Sequence, residues 1–113
     1  MTKLSPALDD VFHALGDATR RAVLKRLARG PTSVSELAAP FSMALPSFVQ
    51  HLTVLERSGL ITSTKEGRVR TCRIKPKQLQ RAETWLTDHR AMWATRLDQL
   101  DDYVLRLKKG KKP

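Results

Sequence analysis

The chain has 113 residues, with 21 Lys or Arg against 11 Asp or Glu, so its formal net charge is +10 at pH 7. This length predicts a single domain over residues 1–113, and the charge favours a polyanionic partner, nucleic acid before membrane. A single cysteine excludes an internal disulfide, and no apolar run reaches the length of a membrane span. We therefore expect a cytoplasmic protein with no membrane partner.

Two amphipathic helices are predicted before residue 30. Apolar residues at steps of three and four indicate a first helix over about 5–15. Asp17 is a typical N-cap for a second helix over about 17–29, whose inward residues are expected to be Ala22, Val23, Leu24 and Leu27. The other face of the second helix is basic. Such a face is usually only solvated, but one or two members near its start can also contact phosphate. Its basic residues are Arg20, Arg21, Lys25, Arg26 and Arg29.

The next segment, residues 33–60, predicts two helices joined by a tight turn. Ser33 and Glu36 have the spacing of a capping box, which begins a short helix over 34–40. A longer helix over 45–58 follows, and Gly59 is a typical C-terminal cap. The expected buried stripe of this longer helix is Leu45, Phe48, Leu52 and Leu55. Such a unit is a helix-turn-helix.

The opposite face of the longer helix is mostly polar and includes Ser47, Gln50, His51 and Arg57. Short polar side chains near the start of an exposed helix can reach base edges in the major groove of DNA. Most polar helix faces are only solvated, so a role in reading DNA remains one of two interpretations of this face alone.

Residues 60–75 predict a β-hairpin, with the turn at Gly67. Three basic residues, Lys65, Arg68 and Arg70, cluster near its tip. A basic hairpin directly after a recognition helix is typical of a wing, and its segment 64–70 can contact the DNA backbone or the minor groove. The alternative is an ordinary charged turn.

The last predicted helix, over 77–108, carries apolar residues every seven positions and is longer than one small domain needs. This pattern suggests an interface with a second copy, although the helix can also pack on the first helix of its own chain. The candidate dimer-interface residues are Leu8, Phe12, Leu86, Trp93, Leu97, Leu100 and Val104. Residues 109–113 are expected to form a basic tail that attracts DNA without sequence preference.

These segments together resemble the ArsR (arsenic-repressor-like) family of bacterial winged-helix transcription regulators. The resemblance covers roughly residues 7–107 and rests on LGDATRRAVLKRL, on VSELA followed by LPSFVQHLTVLERSGLI, and on EGRVRTCRI. It implies a mainly α winged helix-turn-helix fold of order α-α-α-α-β-β-α, dimerisation through the first and last helices, and repression of the protein's own operon. The residues that we expect to contact double-stranded DNA, at a pseudo-palindromic operator, are Pro46, Ser47, Gln50, His51, Arg57, Lys65, Arg68 and Arg70.

Two positions depart from the family pattern. Ala44 stands where relatives commonly place a capping serine, and Val49 stands where they often have another serine. We therefore do not carry the family's serine contacts over to these two positions. Ser42 is an alternative cap for a slightly earlier turn.

The sequence predicts neither a metal site nor a cofactor. The stretch ELAAPF has no thiol where metal-sensing relatives place cysteines, and Asp88 and His89 are adjacent, which makes a poor chelate on a helix. The resemblance is therefore to the branch of the family without the classical metal site. Cys72 is the one redox candidate, although an inward-facing thiol would be inert. The effector ligand, if there is one, stays unidentified.

Two other classes of function have different sequence requirements. An enzyme is not predicted, because the sequence has no glycine-rich phosphate loop, no nucleophile-elbow pattern and no carboxylate–histidine constellation. A non-specific architectural or nucleoid protein would use the same positive charge without sequence preference. The ratio of specific to non-specific DNA binding separates this alternative from a repressor.

Overall fold

The computed structural model describes residues 6–110. The elements, in chain order, are α1 (Pro6–Leu15), α2 (Ala18–Leu27), β1 (Thr32–Ser33), α3 (Val34–Ala38), α4 (Leu45–Arg57), β2 (Ile61–Glu66), β3 (Val69–Ile74) and α5 (Pro76–Gly110). The chain divides into two compact units, Met1–Ala82 and Glu83–Pro113. Helix α5 begins in the first unit and continues into the second. The predicted start at residue 5 and the tail residues 111–113 lie outside the described residues.

The core of the first unit is built from one face of each helix and from the base of the sheet. Its fully buried side chains include Val11, Val23, Leu27, Phe48, Leu55, Leu60, Ile61 and Cys72. Two residues that we expected to face inward are exposed instead. Ala22 lies on the side of α2 opposite the stripe of Val23 and Leu27. Leu45 is 56% exposed because it is the first residue of α4 and protrudes at the end of that helix.

The helix caps follow most of the sequence signals. Asp17 accepts a hydrogen bond from the Arg20 backbone N–H at 3.1 Å, and Ser33 accepts one from the Glu36 N–H at 3.2 Å. The second half of the predicted capping box does not form, because the Glu36 carboxylate accepts a hydrogen bond from the Thr32 hydroxyl instead. Ala44 occupies the N-cap of α4 with an extended backbone, and it makes no side-chain capping bond.

Gly59 ends α4 as the sequence predicted. Its φ is +80°, a left-handed conformation that side chains with a Cβ rarely adopt. The Leu60 N–H donates to the Leu55 carbonyl at 3.0 Å and the Gly59 N–H to the Glu56 carbonyl at 3.0 Å, which is the Schellman pattern. The chain thereby reverses tightly between α4 and the wing.

The sheet is antiparallel with strand order β1-β3-β2. The hairpin was predicted, but β1 was not, because a strand of two residues shows no periodicity. Strand β1 pairs only with Cys72 and Thr71 of β3. The wing beyond those residues therefore has two strands, which pair from Lys65↔Arg70 to Glu66↔Val69 at the tip.

In the second unit, the described residues 83–110 are all helical. Their large apolar side chains are mostly exposed, with fractions between 41% for Val104 and 65% for Trp93. The Trp85 and His89 rings stack at 3.8 Å, and His89 Nδ1 lies 2.9 Å from the Trp85 carbonyl oxygen. Lys109 and Gly110, predicted as tail, belong to the helix. None of the helices within residues 6–110 is long and apolar enough to cross a membrane.

Candidate nucleic-acid interface

Helix α4 separates an apolar inner face from a polar outer face. Phe48 and Leu55 are fully buried in the core, whereas Pro46, Ser47 and Gln50 are exposed at the beginning of the helix. Arg57 is exposed in the last turn. Because the buried stripe fixes the rotation of the helix, the structure brings Ser47 and Gln50 together on the surface with free side chains.

His51, also predicted on this face, is half-buried and held from behind. Its Nδ1 lies 3.1 Å from Arg20 Nη1 and 3.7 Å from Asp17 Oδ2. A guanidinium can only donate hydrogen bonds, so the shorter contact, with Arg20, requires Nδ1 to accept. The ring proton is then on Nε2. A hydrogen bond from Nδ1 to Asp17 would need the opposite tautomer. The shorter contact decides the tautomer, and Nε2–H is then the donor left for a ligand.

Arg20 and Arg21 are engaged within the protein rather than free for phosphate. Arg20 donates from Nε to the Ala14 carbonyl at 2.7 Å and from Nη2 to the His13 carbonyl at 3.2 Å. Arg21 Nη1 donates to the Leu15 carbonyl at 2.7 Å. These carbonyls end α1 and have no partner within that helix, so the two arginines cap it. The phosphate contact expected near the start of α2 therefore does not fit the geometry of these two arginines.

Neighbouring groups at the start of α2 lower the pKa of Asp17. The backbone N–H of Arg20 donates to its carboxylate at the start of α2 and is the largest cause that holds the pKa of this carboxyl below its usual value of 3.8. Asp17 thus caps the N-terminus of α2 and lies beside the His51 ring, 3.7 Å from Nδ1. The sequence showed the cap but not this second contact.

Of the three basic residues predicted near the wing tip, two have free side chains and one is paired. Lys65 and Arg68 are exposed near the tip. Arg70, also predicted as a phosphate contact, donates from Nη2 to Glu56 Oε1 at 3.0 Å and from Nε to Ser63 Oγ at 2.9 Å. Glu56 and Ser63 were not singled out in the sequence. The available signal was a carboxylate in the last turn of α4, where the helix dipole disfavours negative charge.

Cys72 lies on β3 and is only 1% exposed. Burial raises the pKa of its thiol, which outweighs the lowering effect of the Arg70 charge. The structure therefore favours the inert interpretation over the redox interpretation. Within residues 6–110, no three His, Cys, Asp or Glu side chains are placed so that they could hold a metal ion.

Comparisons with known proteins agree that the chain is similar to helix-turn-helix transcriptional regulators. A family model described as "Helix-turn-helix domain" matches residues 15–64. The crystal structure of an ArsR family transcriptional regulator superimposes with a TM-score of 0.77 and 51% sequence identity, over 83% of this chain and 97% of that one. The chain belongs to the ArsR family. An ArsR-like transcriptional regulator from Rhodococcus sp. RHA1 is similar at a TM-score of 0.69, with 32% identity over 85% of this chain and 91% of that one.

Curated relatives named as transcriptional regulators agree with the structural neighbours. The HTH-type transcriptional regulator Rv2034 of Mycobacterium tuberculosis is 38% identical over 76 residues, which are 67% of this chain and 71% of that protein. The transcriptional repressor SdpR of Bacillus subtilis is 28% identical over 79 residues, 70% of this chain and 88% of that protein. The resemblance read from the sequence and the winged helix-turn-helix fold class are confirmed. The ArsR family consists of DNA-binding transcriptional regulators, not enzymes.

Proposed function

We propose that this ArsR family member is a cytoplasmic homodimeric repressor of its own operon, which binds a pseudo-palindromic operator in double-stranded DNA. Helix α4 enters the major groove, where Ser47 and Gln50 reach base edges beside Pro46. His51, Arg57, Lys65 and Arg68 hold phosphates, the last two from the wing on the backbone or in the minor groove. A relative of 28% identity is named a transcriptional repressor, which supports repression over activation.

The observation that carries the proposal is the exposed start of α4. Gln50 presents an amide that can both donate and accept, and this pair of functions matches the N6 and N7 atoms of adenine. Its helix is anchored by Phe48, Leu52 and Leu55 in the core, so the amide projects from a rigid support. The net charge of +10 favours a polyanionic partner for this exposed polar face over contact with water alone.

The apolar surface of α5 supports the homodimer. Leu86, Trp93, Leu97, Leu100 and Val104 follow one stripe along the helix and are each at least 41% exposed in the single chain. Of the two other predicted interface residues, Leu8 is only 7% exposed and so leaves little surface for a partner, and Phe12 is half-buried. A symmetric pair would place two α4 helices about one turn of DNA apart.

The dimer can be tested with a matched pair of substitutions. Leu100 and Leu105 are equally exposed at 55%, but at about 100° per residue they lie on different sides of α5. We expect Leu100→Glu to give monomers in sedimentation at micromolar concentration because it buries a charge in the interface. Leu105→Glu should stay dimeric. Equal behaviour of the two variants would contradict an interface on this stripe.

Sequence specificity is tested by binding to DNA from immediately upstream of the protein's own gene, against random DNA of equal length at physiological salt. The repressor proposal predicts a preference of about a hundredfold or more, saturating at one dimer per site. Equal affinity for both duplexes would reject it in favour of the non-specific architectural alternative.

A further inference from the structure

Glu56 occupies an unfavourable place for a carboxylate. It lies in the last turn of α4, where the dipole of the helix repels negative charge, and it belongs to a protein whose proposed ligand is a polyanion. Its side chain is still 34% exposed, so it could have faced water. Instead, Oε1 accepts two hydrogen bonds, from Ser63 Oγ at 2.6 Å and from Arg70 Nη2 at 3.0 Å.

Arg70 closes this set of contacts into a ring. Its Nε donates to Ser63 Oγ at 2.9 Å while its Nη2 reaches Glu56. The planar guanidinium therefore spans one residue of β2 and one of α4 from its own place on β3. A lysine, with a single charged nitrogen, cannot make both bonds in this geometry.

The contacts of Arg70 lie in the part of the wing that β1 does not cover. Strand β1 covers only Thr71 and Cys72 of β3, and residues 64–70 are exposed. A two-stranded hairpin alone is marginally stable in water. The Arg70–Glu56 pair joins this part of the wing to the helix that carries Ser47 and Gln50.

We propose that Glu56, Ser63 and Arg70 form a clamp that sets the position of the wing relative to the recognition helix, and that Arg70 is a positioning residue rather than a phosphate ligand. This inference rests on the proposed function, because it concerns how α4 and the wing engage DNA together. The clamp fixes the distance between the base contacts of α4 and the phosphate contacts of Lys65 and Arg68. It replaces the phosphate role expected for Arg70 from the sequence.

The clamp is first tested without DNA, by amide hydrogen exchange of the intact protein. We expect Glu56→Ala and Arg70→Ala each to speed exchange in residues 64–69 about threefold to tenfold, and the double variant to be no faster than either single variant. Arg70→Lys should behave like Arg70→Ala because it keeps the charge but loses the fork. Unchanged exchange in Glu56→Ala, or wild-type exchange in Arg70→Lys, would overturn the clamp.

Glu66→Gln is the control for charge alone. This residue lies at the wing tip and is exposed, and its side chain takes part in no hydrogen bond or ion pair within the described part of the chain. It should leave hydrogen exchange at the wild-type rate. Acceleration equal to that of Glu56→Ala would mean that charge removal loosens the wing without any clamp.

The second test is the salt dependence of binding to a random-sequence duplex, which does not require an operator. The binding constant K falls as salt rises, and removing one phosphate ligand makes the slope of log K against log salt less steep by about one. We expect Arg68→Ala to show this loss and Arg70→Ala to keep the wild-type slope. A loss of about one in Arg70→Ala would overturn the positioning role. Failure of the proposed function is distinguishable, since it appears as equal wild-type affinity for upstream and random DNA.

Discussion

The missing cap of the recognition helix gives a quantitative prediction. Ala44 has the extended N-cap backbone, φ −62° and ψ 142°, but no side-chain acceptor. A cap side chain accepts from the second or third helical N–H. The second position is Pro46, which has no N–H, so a serine at position 44 can gain only the Ser47 N–H. We expect Ala44→Ser to stabilise the protein by about 1 kcal/mol, which raises Tm by about 4 °C for a chain of this size.

The assay is thermal unfolding by circular dichroism at one fixed protein concentration, because dimerisation makes Tm depend on concentration. The control is the isosteric pair Ala44→Thr and Ala44→Val, which differ only in a hydroxyl against a methyl. Thr should be more stable than Val at this position. Equal Tm values for wild type, Ser and Thr would show that the Ser47 N–H gains nothing from a protein acceptor, and the reasoning would fail.

Three further predictions concern local features of the fold. In denaturant unfolding, Gly59→Ala should lower the free energy of unfolding more than Gly67→Ala. Both substitutions cost about 1–2 kcal/mol for the left-handed φ, but of the two only at Gly59 does the new Cβ meet another group, Gln78 Cγ at 3.0 Å. Equal costs would contradict this contact. The folded-state pKa of Asp17 is lowered, so its charge stabilises the protein above about pH 4, and this stabilisation is lost as the pH falls through that pKa. The difference in the free energy of unfolding between wild type and Asp17→Asn should therefore disappear in acid. A difference that persists in acid would refute the charge effect. Cys72 should react with a thiol reagent only after unfolding, because burial raises the pKa of its thiol and blocks access; rapid labelling of the native protein would show that the thiol is accessible.

The long periodic elements were predictable because their patterns report burial directly. Phe48, Leu52 and Leu55 recur at helical spacing and are buried, and Asp17 and Gly59 cap the helices as their side chains predict. The fold class followed from these local signals. The two-residue β1 was missed because its pairing with β3 is set by tertiary contact, which leaves no pattern in a strand so short.

The candidate interface was predictable in its exposed members but not in its pairings. Ser47 and Gln50 were placed correctly on the surface by the rotation of α4. A sequence cannot show which arginines find partners within the protein. Arg20 ends on the carbonyls of α1, and Arg70 ends on Glu56, 14 residues away. These contacts depend on how helices and strands meet, so the number of basic residues overstated the number free for phosphate.

In the proposed complex, α4 reads bases while the wing holds phosphates. The most direct test is binding of Gln50→Ala and Arg68→Ala to the upstream duplex and to a set of duplexes that change one base pair at a time. We expect Gln50→Ala to lose about 1–3 kcal/mol of discrimination at one position of each half-site, and Arg68→Ala to weaken every duplex alike. Uniform weakening by Gln50→Ala across all duplexes would contradict base reading by α4.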